Sequence, residues 1–170
     1  MCGIAGIIKP EGIVSEHIIS MAAIIRHRGP DDEGYLLYIG NNDQVYVCGG
    51  ADTPESVWAT KLCYTPSSRI DNLSGMSAKV AFGHRRLSIL DLSPAGHQPM
   101  SYMNGRYWIV YNGEIYNYEE IKIKLQSLGH KFISRTDTEV ILAAYSVWGP
   151  ECLNMFAGMW AFAILDTEKK

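Results

Sequence analysis

The sequence predicts a layered α+β sandwich, and three observations carry that prediction. Its 170 residues are 47% hydrophobic and 19% charged, which is enough apolar mass for one core and too ordered a composition for a disordered chain. Short strand-like runs recur along its length, interspersed with segments of helical period. One run, Met159 to Asp166 through Trp160-Ala161-Phe162-Ala163-Ile164-Leu165, is apolar on both faces, and such a strand requires a covering layer on each side of its sheet.

Taken in order, Cys2 to Ile8 reads as a short buried strand ending at Lys9-Pro10-Glu11-Gly12. Ser15 can cap a helix carrying Ile18, Ile19, Ala22 and Ile25, which must stop before Gly29-Pro30. Residues Arg26 to Gly34 read as a charged loop. Tyr35 to Ile39 and Gln44 to Cys48 form a hairpin across Gly40-Asn41-Asn42-Asp43. From Gly49 to Lys79 polar and turn residues dominate without a sustained period, which predicts a long surface insertion with a helical turn near Glu55 to Thr60. Strands follow over Val80 to Leu92 and Tyr107 to Asn112, broken by Ser93 to Pro99. Asn117 with Glu120, and Thr136 with Glu139, have capping-box spacing at the heads of two helices that stop at Gly129 and Gly149-Pro150, with a short strand, Lys131 to Arg135, between them.

A net charge of −3 without a Lys/Arg cluster argues against a nucleic-acid partner. No apolar run approaches the roughly 20 residues that span a bilayer, so no membrane association is expected and a cytoplasmic location is. Cys2, Cys48, Cys63 and Cys152 are scattered, so reduced thiols are expected, with a Cys48–Cys63 pairing open on spacing alone. The five histidines fall in no metal-binding pattern, which predicts no metal site and loop or solvent roles for most of them. No glycine-rich phosphate loop is present, so ATP is not expected to bind.

The chemistry-bearing residues lie elsewhere. Removal of Met1 would leave the Cys2 thiol beside a free α-amine that titrates near pH ~8, a nucleophile supplied with its own base. A buried Cys at a strand start is the plain alternative. Asn112-Gly113, at a strand end, can aim a side-chain amide and a glycine N–H at one oxyanion, or can be a hairpin turn. Arg85 and Arg86 face opposite sides of a strand, so only one can enter a pocket and grip a carboxylate; both could instead lie at the surface. Asp137 opens a helix and either caps it or, if Thr136 does so, is free to meet a ligand.

Met1-Cys2-Gly3-Ile4-Ala5-Gly6-Ile7, Arg28-Gly29-Pro30-Asp31, Gly83-His84-Arg85-Arg86-Leu87-Ser88-Ile89-Leu90-Asp91, Tyr111-Asn112-Gly113-Glu114-Ile115-Tyr116-Asn117 and Arg135-Thr136-Asp137-Thr138-Glu139 occur in one order from residue 2 to about residue 166. Together they resemble the glutaminase domain of glutamine-hydrolysing asparagine synthetases, class II amidotransferases of the N-terminal nucleophile hydrolase fold. The resemblance implies a four-layer αββα sandwich of two largely antiparallel sheets across residues 1–170, with one or two closing strands beyond its end. It also implies hydrolysis of glutamine to glutamate and ammonia through a Cys2 thioester, with Asn112 and Gly113 as oxyanion donors. Arg86, Leu87, Ser88, Ile89, Leu90, Glu114 and Asp137 would bind glutamine, Arg86 taking the α-carboxylate and Asp137 the α-ammonium.

In that family the ammonia passes to a C-terminal synthetase domain, absent here, which activates aspartate with ATP and Mg²⁺; a homodimer is an open assembly. The alternatives are a glutaminase serving another acceptor and a catalytically silent regulatory module of the same fold.

Overall fold

The computed structural model describes residues 2–40, 44–89 and 91–169, and its strands form two open sheets. The first has the order β1-β5-β2-β3-β4, built from β1 (Gly3–Val14), β2 (Asp32–Tyr38), β3 (Val45–Gly49), β4 (Ser68–Arg69) and β5 (Ser77–Arg86). The second is β6-β7-β8, with β6 (Met100–Tyr102), β7 (Tyr107–Ile115) and β8 (Gly158–Asp166). All pairings are antiparallel except β3 with β4.

Strand alternation sorts the layers. Tyr35, Leu37 and Ala81 point outward to Ile18 and Ala22 of helix α1 (Ser15–Ile24). Their neighbours Leu36, Tyr38, Val80 and Phe82 point inward, into a core shared with β7 and with helices α3 (Tyr118–Ser127) and α4 (Asp137–Trp148) on the far side of the second sheet. The result is the αββα sandwich expected. Helix α4 is buried continuously from Asp137 to Ala144, which fixes its first residue in the interior.

Several local expectations are corrected. Strand β1 does not stop at Lys9-Pro10 but runs to Val14, with a register shift between Ile8 and Ile13 and Gly12 at φ 95°. It lies at the sheet's edge, where a proline lacking its N–H removes no ladder bond. The charged loop is shorter than read, because Arg26–Arg28 form a 3-10 turn and β2 begins at Asp32. The hairpin of β2 and β3 is present; its tip at Asn41, Asn42 and Asp43 lies outside the described residues.

The 49–79 segment is not simply superficial. Thr53, Val57, Tyr64 and Ile70 are buried, a helical turn α2 (Glu55–Trp58) forms as expected, and Ser68–Arg69 extends the first sheet. No strand forms at Lys131–Arg135, because the Glu139 carboxylate takes the amides of Ile133 and Ser134 at 2.7 to 3.0 Å. Neither capping box closes: the Asn117 side chain bonds Met155 O and Ala157 N, and the Thr136 hydroxyl bonds Ser134 Oγ. Strand β8 is not covered on both faces: Met159 is 73% and Trp160 36% exposed.

Of the histidines, for most of which loop or solvent roles are expected, His84 lies in β5 and His97 in the loop before β6. His84 and His97 are buried between the sheets. The four cysteines are free. Among the described residues no helix is long and apolar enough to cross a membrane, and no cluster of three or more His, Cys, Asp or Glu could hold a metal.

Candidate active site

The first sheet presents Cys2 just ahead of β1, whose Gly3 pairs with Arg85, so the cysteine stands beside the end of β5. Its Sγ accepts from Leu87 N–H at 3.3 Å and lies 3.6 Å from Leu87 O. Its carbonyl accepts from Arg28 Nε at 3.1 Å, which ties the start of the chain to the 3-10 turn. Gly29 is required there, because a Cβ at that position would run into the backbone of Arg85 and Arg86. Asp31 closes the arrangement: its N–H donates to Arg86 O at 3.1 Å and its carboxylate accepts from Ser88 N–H at 2.8 Å.

The two arginines separate as alternation requires. Arg85 points outward, where it meets Glu33 and Asp52 at 2.8 Å each and donates to Ala22 O at 3.2 Å. It holds α1 and the 49–79 segment against the first sheet. Arg86 points inward; its guanidinium donates to Ser93 O at 3.2 Å and to Asp91 O, and fits only because Gly96 has no side chain. Burial pushes the Asp91 carboxyl up, but bonds from Ser93 and the Arg135 amide outweigh it and hold the group below the usual carboxylate range.

The second sheet supplies the opposite wall. Asn112, Gly113 and Glu114 are not at a strand end and not in a hairpin turn. They lie within β7, opposite Ala161, Trp160 and Met159 of β8. Gly113 is dictated by this close pairing: a Cβ would sit 2.5 Å from Met159 O and Trp160 Cα.

At the head of α4, Asp137 is buried, and its Oδ2 accepts from the Tyr111 hydroxyl at 2.6 Å and from Ile115 N–H at 3.0 Å. Burial raises the Asp137 carboxyl above its ordinary range, against those two donors and the first amides of the helix. The same burial, with Asp137 alongside, drives the Tyr111 phenol far upward, so it remains a donor.

Cys2, Arg86, Leu87, Ile89, Asn112, Gly113, Glu114 and Asp137 thus line a single cleft of about 180 Å³. Ser88 does not line it, and Leu90 lies outside the described residues. Sequence reasoning passed over Gln98, Tyr111 and Thr138, which share this cleft. The Gln98 Oε1 accepts from Tyr111 N–H at 2.7 Å and its Nε2 donates to Thr138 Oγ1 at 3.4 Å, so a side chain continues the hydrogen bonding of the sheet beyond β6. Tyr111 had a signal, standing directly before Asn112-Gly113; Gln98, inside a proline-flanked break, had none.

A thiol, a side-chain amide, an arginine and a buried carboxylate thus stand on the walls of one small cleft. Residues 71–170 match the family model described as "Glutamine amidotransferase domain". The chain is 38% identical over 184 aligned positions to a Methanocaldococcus jannaschii protein provisionally named asparagine synthetase (glutamine-hydrolysing) 2, covering 99% of this chain and 28% of that protein. It is 34% identical over 169 positions to asparagine synthetase (glutamine-hydrolysing) 1 of Bacillus subtilis, covering 96% and 20%. The chain therefore spans between a fifth and a third of the length of these relatives.

Among solved structures, the glutamine phosphoribosylpyrophosphate amidotransferase of B. subtilis superposes with a TM-score of 0.63 at 21% identity, over 98% of this chain and 35% of its own, which bears on the fold alone. The family model covers more than half of the sequence and the fold agrees with it, so the chain belongs to the glutamine amidotransferase domain family, with the sandwich of the N-terminal nucleophile hydrolases.

Proposed function

We propose that this domain hydrolyses the side-chain amide of glutamine, and that its ammonia serves asparagine synthesis from aspartate in a longer protein. The observation that carries the reading is the Cys2 thiol at one wall of a cleft whose other walls hold Arg86, Asn112-Gly113 and Asp137. With Met1 removed, the α-amine of Cys2 takes the thiol proton and Sγ bonds to the amide carbon. The carbonyl oxygen becomes an oxyanion, which the Asn112 amide and the Gly113 N–H stabilise. The C–N bond then breaks as the nitrogen leaves with a proton as ammonia, and water adds to the γ-glutamyl thioester, releasing glutamate and the free thiol.

Arg86 takes the α-carboxylate and Asp137 the α-ammonium, so both charged ends of a free amino acid are paired, and a peptide-bound glutamine leaves one of them unmatched. Ile89 and Glu114 border the same space, and Leu87 contributes its backbone beside the thiol. ATP and Mg²⁺ belong to the synthetase step, in a domain outside this chain.

The test is glutamate release from glutamine together with the intact mass of the purified protein. Activity should accompany loss of the initiator Met1 and vanish in Cys2→Ala. Turnover by protein that retains Met1, or by Cys2→Ala, would refute the nucleophile.

A further inference from the structure

Tyr111 has all three of its polar groups engaged by different parts of the fold. Its amide donates to Gln98 Oε1 at 2.7 Å, its carbonyl accepts from His84 Nε2 at 3.0 Å, and its hydroxyl donates to Asp137 Oδ2 at 2.6 Å. The first bond comes from the segment before β6, the second crosses from the first sheet, and the third reaches the head of α4. The residue immediately follows Val110 of the core and immediately precedes Asn112 of the cleft.

The third bond is the informative one. A carboxylate oxygen has about two in-plane acceptor positions, and on Asp137 Oδ2 both are taken by β7, through the Tyr111 hydroxyl and Ile115 N–H. The carboxylate therefore cannot swing about its own axis without breaking two buried bonds. A cation entering the cleft meets the other oxygen, beside the Asp137 and Thr138 amides that also bond the carboxylate, at a fixed distance from the strand that carries Asn112 and Gly113. A phenylalanine at position 111 would fill the same core volume, so packing does not explain the hydroxyl.

Resting on the reading that the cleft takes glutamine, we propose that Tyr111 is a positioning residue: it fixes Asp137 against the Asn112-Gly113 strand and so sets the preference for an amide that carries an α-ammonium. Its own atoms take no part in the bond-breaking steps.

The experiment compares glutamine with glutaramate, the same amide without the α-amino group, using the intact chain and Tyr111→Phe. With glutamine, Tyr111→Phe should lower kcat/KM roughly ten-fold, mostly through KM, because the ammonium acceptor loses the shortest of the bonds that fix its orientation. With glutaramate the change should stay within about two-fold, since no ammonium is present to be misplaced. Equal losses on both substrates would make Tyr111 merely structural and overturn the proposal, as would an unchanged KM for glutamine. Combining Tyr111→Phe with Asp137→Asn should add nothing to the loss caused by Asp137→Asn alone, and an additive loss would likewise overturn it. Failure of the unsubstituted chain to release glutamate would instead strike at the glutaminase reading itself.

Discussion

Asp137→Asn separates a helix cap from a ligand contact, because the two roles predict opposite balances of stability and binding. The substitution is isosteric, and the amide oxygen can still accept from the Tyr111 hydroxyl and Ile115 N–H, which now meet Oδ2 at 2.6 and 3.0 Å. What disappears is the charge. A hydrogen bond to a charged group contributes about 1.5–3 kcal/mol, and each 1.4 kcal/mol is a factor of ten, so the glutamine KM should rise about 10- to 100-fold.

Stability should move the other way. Burial is the largest influence on this carboxyl and raises its pKa, so the folded chain holds the proton more tightly than the unfolded chain does. Stability attributable to Asp137 is then greatest below the unfolded-state value, falls as pH rises through the folded value, and leaves a net penalty at neutral pH. Asparagine has no such penalty, so thermal unfolding at pH 7 should occur at the same temperature or higher. Steady-state kinetics and calorimetry on one preparation test both halves. A lower melting temperature with an unaltered KM would mean that Asp137 only caps α4, and the ammonium assignment would be wrong.

Other substitutions probe the supporting structure. Gly113→Ala puts a Cβ 2.5 Å from the backbone of β8, so strand separation should lower stability by about 1–3 kcal/mol in urea unfolding and depress kcat more than KM; retention of both would refute the close pairing. Arg85→Met leaves buried Glu33 without its cation and should cost about 3–5 kcal/mol in the same assay while leaving the KM of the folded protein unchanged. His84, whose pKa burial lowers to about 3, should show no titration between pH 5 and 8 by NMR, with its proton on Nε2 facing Tyr111 O. The unfolded chain takes up that proton near its ordinary value, so this residue makes stability fall as pH drops from about 6.5 toward 3; a ring midpoint near 6.5 in folded protein would contradict its burial.

How much of this was legible in the sequence depended on whether a residue's role was set by its neighbours in the chain. The hairpin of β2 and β3, helices α1, α3 and α4, and the opposed faces of Arg85 and Arg86 follow from local period, and the structure realises them. Asn112-Gly113 was ambiguous because a turn and a strand glycine look alike until β8 lies alongside. The missing strand at Lys131–Arg135 could not be foreseen, since the Glu139 side chain, further along, satisfies the amides that a strand would have paired. Burial of Tyr64 and Ile70 was hidden for the same reason: their partners are distant, and turn-rich surroundings carry no period. Gln98 was invisible because its value lies in one bond to the Tyr111 amide across the gap from β6.

The position of the cleft follows from the register of β2 and β5. On the inward face these strands carry Leu36, Tyr38, Val80 and Phe82 at one end, and Asp32, His84 and Arg86 at the other, with Asp32 directly opposite Arg86. The apolar end packs against β7 and closes the sandwich. The polar end cannot pack in that way, because its buried groups need partners. Asp32 holds His97 Nδ1 at 2.8 Å, His84 donates to Tyr111 O, and Arg86 donates to two carbonyls of the loop after β5.

Asp32 Oδ1, His84 Nδ1 and His97 Nε2 have no hydrogen-bond partner among the described residues. Beyond this buried polar layer the interior opens into the cleft. Arg86, the last residue of β5, stands there, and Cys2 stands beside it because Gly3 pairs with Arg85. Shifting β1 by a single residue against β5 would turn the thiol to the outer face with Arg85 and leave the cleft without a thiol.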